Sequence, residues 1–152
     1  MKGYVDADWA SCIIDRRSYS GYCFTLNKAC ITREARKLRT PALSSVEAEY
    51  MGLTESAKEA AYLINFMYEI LHKIHLPIAI GNDNQGARIL AMNASSSARM
   101  KHVDLRIHFI HRDVLTGLIV IEYVSTEDMS AGILTKGHDE GVSLQMLGFA
   151  EY

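Results

Sequence analysis

Three β-rich segments joined by short links precede one long helical stretch, and that order restricts the chain more than any other feature. Tyr4 to Trp9, Tyr19 to Leu26 and Ala29 to Ala35 carry the β-branched and aromatic residues that strands favour. Asn27-Lys28 makes a tight connection, and a turn-like stretch through Asp15-Arg16-Arg17 makes the other, so the three read as an antiparallel meander. Ser44-Ser45-Val46-Glu47 then fits a capping box, with Glu47 reaching back to the cap. The helix it opens runs to about Lys73, and Val46, Leu53, Ala57, Ala60, Ile64, Met67 and Leu71 give it a buried stripe. Pro77 to Asp83 reads as a short buried strand and Asn84 to Met92 as a short helix. A polar, Ser-rich loop, Asn93 to Ala98, leads to a helix over Lys101 to Leu115, closed by Gly117. Leu118 to Val124 is a β-branched strand, and Ser125 to Thr135 is predicted as a last helix. The order βββαβααβα predicts an α/β fold, a mixed sheet with helices packed on its faces.

At 152 residues the chain suits one domain with one core. It is 49% hydrophobic and 22% charged, which is globular rather than disordered. The formal net charge of -2 supplies no bulk attraction for phosphate, so any nucleic-acid surface must be a local basic patch. Cys12, Cys23 and Cys30 are an odd count without CxxC spacing, giving neither a zinc signature nor a disulfide framework. The histidines, among them His102, His108 and His111, lack the further ligands a zinc site needs. No apolar run approaches the ~20 residues of a bilayer span, and no secretory signal opens the chain. An intracellular protein without membrane contact is expected. The chain starts at the first strand itself, as a domain cut from something longer would. One domain over residues 1–136 and a tail over 137–152 are expected.

Some acidic residues sit where structure alone does not ask for them. Glu49 falls between Val46 and Leu53 on the apolar stripe. A carboxylate there either reaches solvent from the stripe's edge or is paired, hydrogen-bonded or bound to a metal. Asp83 ends an apolar strand just before a helix. It is either a helix N-cap or a ligand at the carboxyl end of a strand, where open α/β sheets place their sites. Asp6 and Asp8 are two apart in a strand and share one face, which is either solvated or a metal site. Together these hard oxygen groups are able to converge on one Mg²⁺ or Mn²⁺, the kind of site that hydrolyses phosphodiesters.

The same residues sit in motifs. Gly3-Tyr4-Val5-Asp6-Ala7-Asp8-Trp9-Ala10 resembles the opening motif of the ribonuclease H domain of copia-type retrotransposon Pol polyproteins. Arg16-Arg17-Ser18-Tyr19-Ser20-Gly21-Tyr22, Leu43-Ser44-Ser45-Val46-Glu47-Ala48-Glu49-Tyr50 and Asp83-Asn84-Gln85 are similar to its next three. Lys101 to Ile110, Glu122 to Asp128 and Ile133-Leu134-Thr135-Lys136 resemble the rest. The resemblance runs in order over residues 3 to 136. It implies a five-stranded sheet with the first and fourth strands adjacent at its centre. It implies metal-dependent cleavage of the RNA strand of an RNA–DNA hybrid during reverse transcription, leaving a 3′-hydroxyl and a 5′-phosphate. It implies Asp6, Glu49 and Asp83 as metal ligands for one or two Mg²⁺ or Mn²⁺ ions. It implies a reverse transcriptase domain in the same polyprotein as partner, and a cytoplasmic or virus-like-particle location.

Two departures stand out. Where the family carries a fourth acidic ligand, this chain has Gly132, which cannot bind metal and costs about 1 kcal/mol inside a helix. Asp128 lies one turn earlier, about 5.4 Å away, and Ser125-Thr126-Glu127-Asp128 also reads as a capping box. The lost ligand leaves an alternative: a catalytically impaired remnant that serves as a hybrid-binding or protein-interaction module. The second departure is Arg33, where the family often has an aromatic. Arg33, Arg36, Lys37 and Arg39 form a basic stretch that is either a phosphate-tracking surface or a solvated strand face.

Overall fold

The computed structural model describes residues 1–93 and 104–135. Five strands form one sheet: β1 (Lys2–Asp8), β2 (Tyr19–Leu26), β3 (Ala29–Lys37), β4 (Ile78–Asn82) and β5 (Ile119–Tyr123). Their order across the sheet is β3-β2-β1-β4-β5. The first three pair antiparallel, as short links require, while β1/β4 and β4/β5 are parallel and need the helical crossovers that follow. The first and fourth strands therefore lie side by side at the centre.

Helix α1 (Ser45–Leu71) packs on β1 and β2, and α2 (Gln85–Met92) and α3 (Asp104–Leu115) pack beside it towards β5. The core lies between these helices and the sheet. Val5, Tyr22, Phe24, Ile78, Ile80, Ile119 and Ile121 face Tyr50, Leu53, Ala57, Ala60 and Ile110. The predicted stripe is buried from Leu53 to Ile64, after which the helix outruns the sheet and Leu71 is exposed. The cap forms as expected at Ser44, whose Oγ accepts from the Glu47 N–H at 3.1 Å. The Glu47 carboxylate accepts from the Leu43 N–H at 2.8 Å, one residue before the cap.

The last predicted helix is not an α-helix. Ser125 to Thr135 forms two short 3₁₀ turns, Thr126–Asp128 and Ser130–Leu134. Ser130 and Gly132 are poor helix formers, and tertiary contact with β1 and β2 holds the second turn instead. Gly132 therefore does not carry the cost of a glycine inside an α-helix. The predicted Ser-rich loop beyond Asn93, the first residues of the predicted third helix and the expected tail lie outside the described residues. Among the described residues, no helix is long and apolar enough to cross a membrane.

Candidate metal centre and its nucleic-acid surface

Strands β1 and β4 pair through Lys2–Ala79, Gly3–Ile80 and Tyr4–Gly81 and then part. The candidate site lies where they separate. Val5 faces α1, so its neighbour Asp6 projects from the opposite face of the pleat. Asp83 follows the last residue of β4, at the carboxyl end of the strand. Glu49 reaches the same place from α1. The helix comes close because Gly52, one turn on, has no side chain: a Cβ there would meet Ser20 Oγ at 2.6 Å and Val5 Cγ2 at 3.1 Å. One oxygen each of Asp6, Glu49 and Asp83 lies within 4.8 Å of the others.

Asp6 and Glu49 are 3% and 5% exposed, and Asp83 is half-buried. Burial pushes the Glu49 carboxyl up to about 8, and the charges of Asp6 and Asp83 push the same way. A hydrogen bond from Asn82 opposes them without prevailing. The donor set fits a divalent cation. It consists of hard oxygens only, it converges, and its charges repel one another in a buried place. Asp6, Glu49 and Asp83 are the residues that would hold such an ion.

Each carboxylate also meets a neutral donor. Asn82, fully buried, donates from Nδ2 to Glu49 Oε2 at 2.9 Å and to the Val5 carbonyl at 3.3 Å, and so bridges the gap between β1 and β4. Its Oδ1 accepts from the Asn84 N–H at 3.1 Å. Thr126 Oγ1 donates to Asp83 Oδ2 at 2.9 Å. Thr135 Oγ1 donates to Asp6 Oδ2. Sequence reasoning assigned no role to Asn82, Thr126 or Thr135. A signal for Asn82 was present, since asparagine is rare in a buried strand. The threonines gave none, because their partners are remote in sequence.

Asp83 is not the N-cap of α2. Asn84 takes that place, its Oδ1 accepting from the Ala87 N–H at 3.0 Å, and this leaves Asp83 for the cluster. Asp8 shares the Asp6 face of β1 but does not join the cluster. Asp128 does not join it either. It is exposed, accepting from Ser125 Oγ at 2.8 Å and donating its N–H to that oxygen, which makes the serine half of the expected capping box, while its carboxylate meets the hydroxyl instead of the Ser125 N–H. Among the described residues, then, three carboxylates and no fourth form the cluster.

The basic stretch divides. Arg36 faces α1, with Nη2 2.7 Å from Glu55 and Nε 2.9 Å from Glu34. Arg33 and Lys37 lie on the other face of β3. Lys37 Nζ is 2.9 Å from Asp15 and 3.0 Å from Cys12 Sγ. Arg33 and Arg39 are exposed, with no ion pair among the described residues.

Solved structures place this architecture. Ribonuclease H1 from the archaeon Halobacterium salinarum NRC-1 covers 88% of the chain and 92% of its own at 17% identity, with a TM-score of 0.62. LC11-RNase H1, solved in complex with an RNA/DNA hybrid, covers 88% and 91% at 11% identity, with a TM-score of 0.60. The chain has the ribonuclease H fold. Its sequence relatives go further. The retrovirus-related Pol polyprotein from transposon TNT 1-94 of Nicotiana tabacum is 37% identical over 137 residues, 90% of this chain. That from transposon RE2 of Arabidopsis thaliana is 35% identical over 136 residues, again 90%. The chain is a homologue of copia-type retrotransposon Pol polyproteins and spans about a tenth of the length of the relatives it matches. It matches no protein-family model.

Proposed function

We propose that this chain hydrolyses the RNA strand of RNA–DNA hybrids with the help of Mg²⁺ or Mn²⁺, as part of retrotransposon reverse transcription. The observation that carries the proposal is the convergence of Asp6, Glu49 and Asp83 within 4.8 Å at the open end of the β1–β4 pair. A bound divalent cation supplies a polarised scissile phosphate and a more acidic attacking water. The chain's own residues do the rest. Asp6 and Glu49 form the buried wall of the site, and half-buried Asp83 forms its solvent side, where the hybrid backbone approaches. Asn82 holds Glu49 through one oxygen, and the Glu49 carboxylate would meet the cation or the ribose 2′-hydroxyl. Contact with that hydroxyl is how such a site distinguishes RNA from DNA. Arg33 and Arg39 offer positive charge to phosphate without regard to sequence.

The matched relatives are polyproteins, which suggests further domains beside this one; a reverse transcriptase domain as partner and a cytoplasmic or virus-like-particle setting belong to the same proposal. A second reading has one observation in its favour. Among the described residues no fourth carboxylate reaches the cluster, and Asp128 is held by its own turn. On that reading the chain binds hybrid and cuts it poorly.

Incubating the purified chain with a labelled hybrid, and with DNA and RNA duplexes of the same sequence, in Mg²⁺ and in Mn²⁺, tests the proposal. Cleavage confined to the RNA of the hybrid is expected. Hybrid binding without cleavage favours the second reading, and recovery of cutting in Gly132→Asp would identify the missing ligand as the reason.

A further inference from the structure

We propose that Thr126 and Thr135 are positioning residues that fix the side chains of Asp83 and Asp6 for the cation. The inference rests on the reading that these carboxylates bind a divalent ion. The two threonines lie near the two ends of one segment, Ser125 to Thr135, which leaves β5 and passes over the sheet. Its first turn stands at the end of β4, where Thr126 Oγ1 donates to Asp83 Oδ2. Its second turn ends on β1, where Thr135 Oγ1 donates to Asp6 Oδ2. One segment therefore spans the gap between the two strands that carry the ligands.

The seat of the second turn is built for this. Thr135 follows the turn Ser130–Leu134 and is buried. Gly21 of β2, the neighbour of Asp6 across the ladder, admits it closely: a Cβ on Gly21 would meet Leu134 Cβ at 2.6 Å and Thr135 Cγ2 at 3.3 Å. The turn is thus pressed on the strands at the point where the hydroxyl meets the carboxylate. Gly132 takes part as backbone, with its carbonyl 3.2 Å from Thr135 Oγ1 and accepting the Thr135 N–H at 3.4 Å. The segment whose position 132 lacks an acidic side chain instead supplies two neutral donors.

Each hydroxyl engages one oxygen of its carboxylate. A carboxylate held in this way is restricted in rotamer. One that loses this donor is held less firmly towards the site. Groups that orient metal ligands typically contribute 10–100-fold to metal affinity. Thr135 is buried and Thr126 exposed, so Thr135 has the larger effect.

Mn²⁺ titration calorimetry on the full chain and on Thr135→Val, Thr135→Ser and Thr126→Val, with melting in chelator alongside, tests the inference. Thr135→Val should weaken Mn²⁺ binding about tenfold, and Thr126→Val about threefold. Thr135→Ser should recover most of the loss, because it restores the donor. A serine variant as weak as the valine variant would make the effect one of packing and overturn the proposal. Valine variants that bind as tightly as wild type, or more tightly, would also overturn it, since the hydroxyls would then compete with the ion. Should Thr135→Val fail to fold, Thr126→Val decides, on an exposed turn where folding does not depend on it. A folded wild-type chain that binds no Mn²⁺ would defeat the underlying reading as well as this one.

Discussion

Asp6, Glu49 and Asp83 are remote along the chain and meet within 4.8 Å, whereas Arg33, Arg36 and Lys37 are neighbours along the chain and are parted by the strand that carries them. Three separate elements deliver the carboxylates to one place, where Asn82, Thr126 and Thr135 donate to them. The pleat sends Arg36 towards α1 and the pair Glu34 and Glu55, and sends Arg33 and Lys37 to the other face. Arg36 and Lys37 thus take acidic partners, while the carboxylates brought together by the fold repel one another at Glu49. The second arrangement is costly without a ligand, and that cost marks the site.

The sharpest break between the two regions should appear in catalysis. Glu49→Gln is expected to lower hybrid cleavage more than about a hundredfold, because it removes a ligand and not merely a charge. Arg33→Ala should change the same rate only a few-fold. Equal losses in a cleavage time course would erase the distinction.

Stability should separate them next, with opposite sign. Glu49 has a folded-state value near 8 against an ordinary 4.5, so the native chain holds the proton more firmly than the unfolded chain. Its contribution is fully present below about pH 4.5 and is lost as pH rises through about 8. In chelator at pH 9, Glu49→Gln should therefore melt roughly 2–4 °C above wild type, the effect of about 1 kcal/mol in a chain of this size. At pH 4.5 the gain should vanish. Arg36→Ala, which breaks pairs with Glu34 and Glu55 at the surface, should melt at or slightly below wild type at both pH values. A lower melting temperature for Glu49→Gln at pH 9 would show that the carboxylates do not repel.

Cation binding should follow the same proton. Mn²⁺ affinity is expected to fall as pH drops below about 8, with up to one proton released per ion bound, as calorimetry in buffers of different ionisation heat would show. A pH-independent affinity between 6 and 8 would place the ion away from Glu49.

The smallest effect concerns salt. Each phosphate contact adds about 0.9 to the logarithmic salt slope of binding. Arg33→Ala and Arg39→Ala should each reduce the slope for hybrid binding by about that amount, while Arg36→Ala should leave it unchanged. A slope reduced by Arg36→Ala would mean that its ion pairs open to receive the backbone.

The contrast also explains what the sequence disclosed. The meander, the capped long helix and the α-linked strands were legible because strand alternation and helical spacing are local. Glu49 was legible as an acidic residue on an apolar stripe, which is where the structure buries it. The role of Asp83 stayed open until Asn84 was seen to cap α2. The last helix was misread as α, because the contact that sets its shape, Gly21 against Leu134 and Thr135, joins residues far apart in sequence. The same remoteness hid Thr126 and Thr135. The basic stretch read as one surface only while the two faces of β3 were not told apart.

The central claim is that the three carboxylates cut the RNA of a hybrid. Its most direct test is cleavage of a labelled RNA–DNA hybrid in Mn²⁺ by wild type and by Asp6→Asn, both shown to be folded. Cutting by wild type and none above background by the variant is the expected result. Equal cutting by both would contradict it, because hydrolysis would then come from somewhere other than this site.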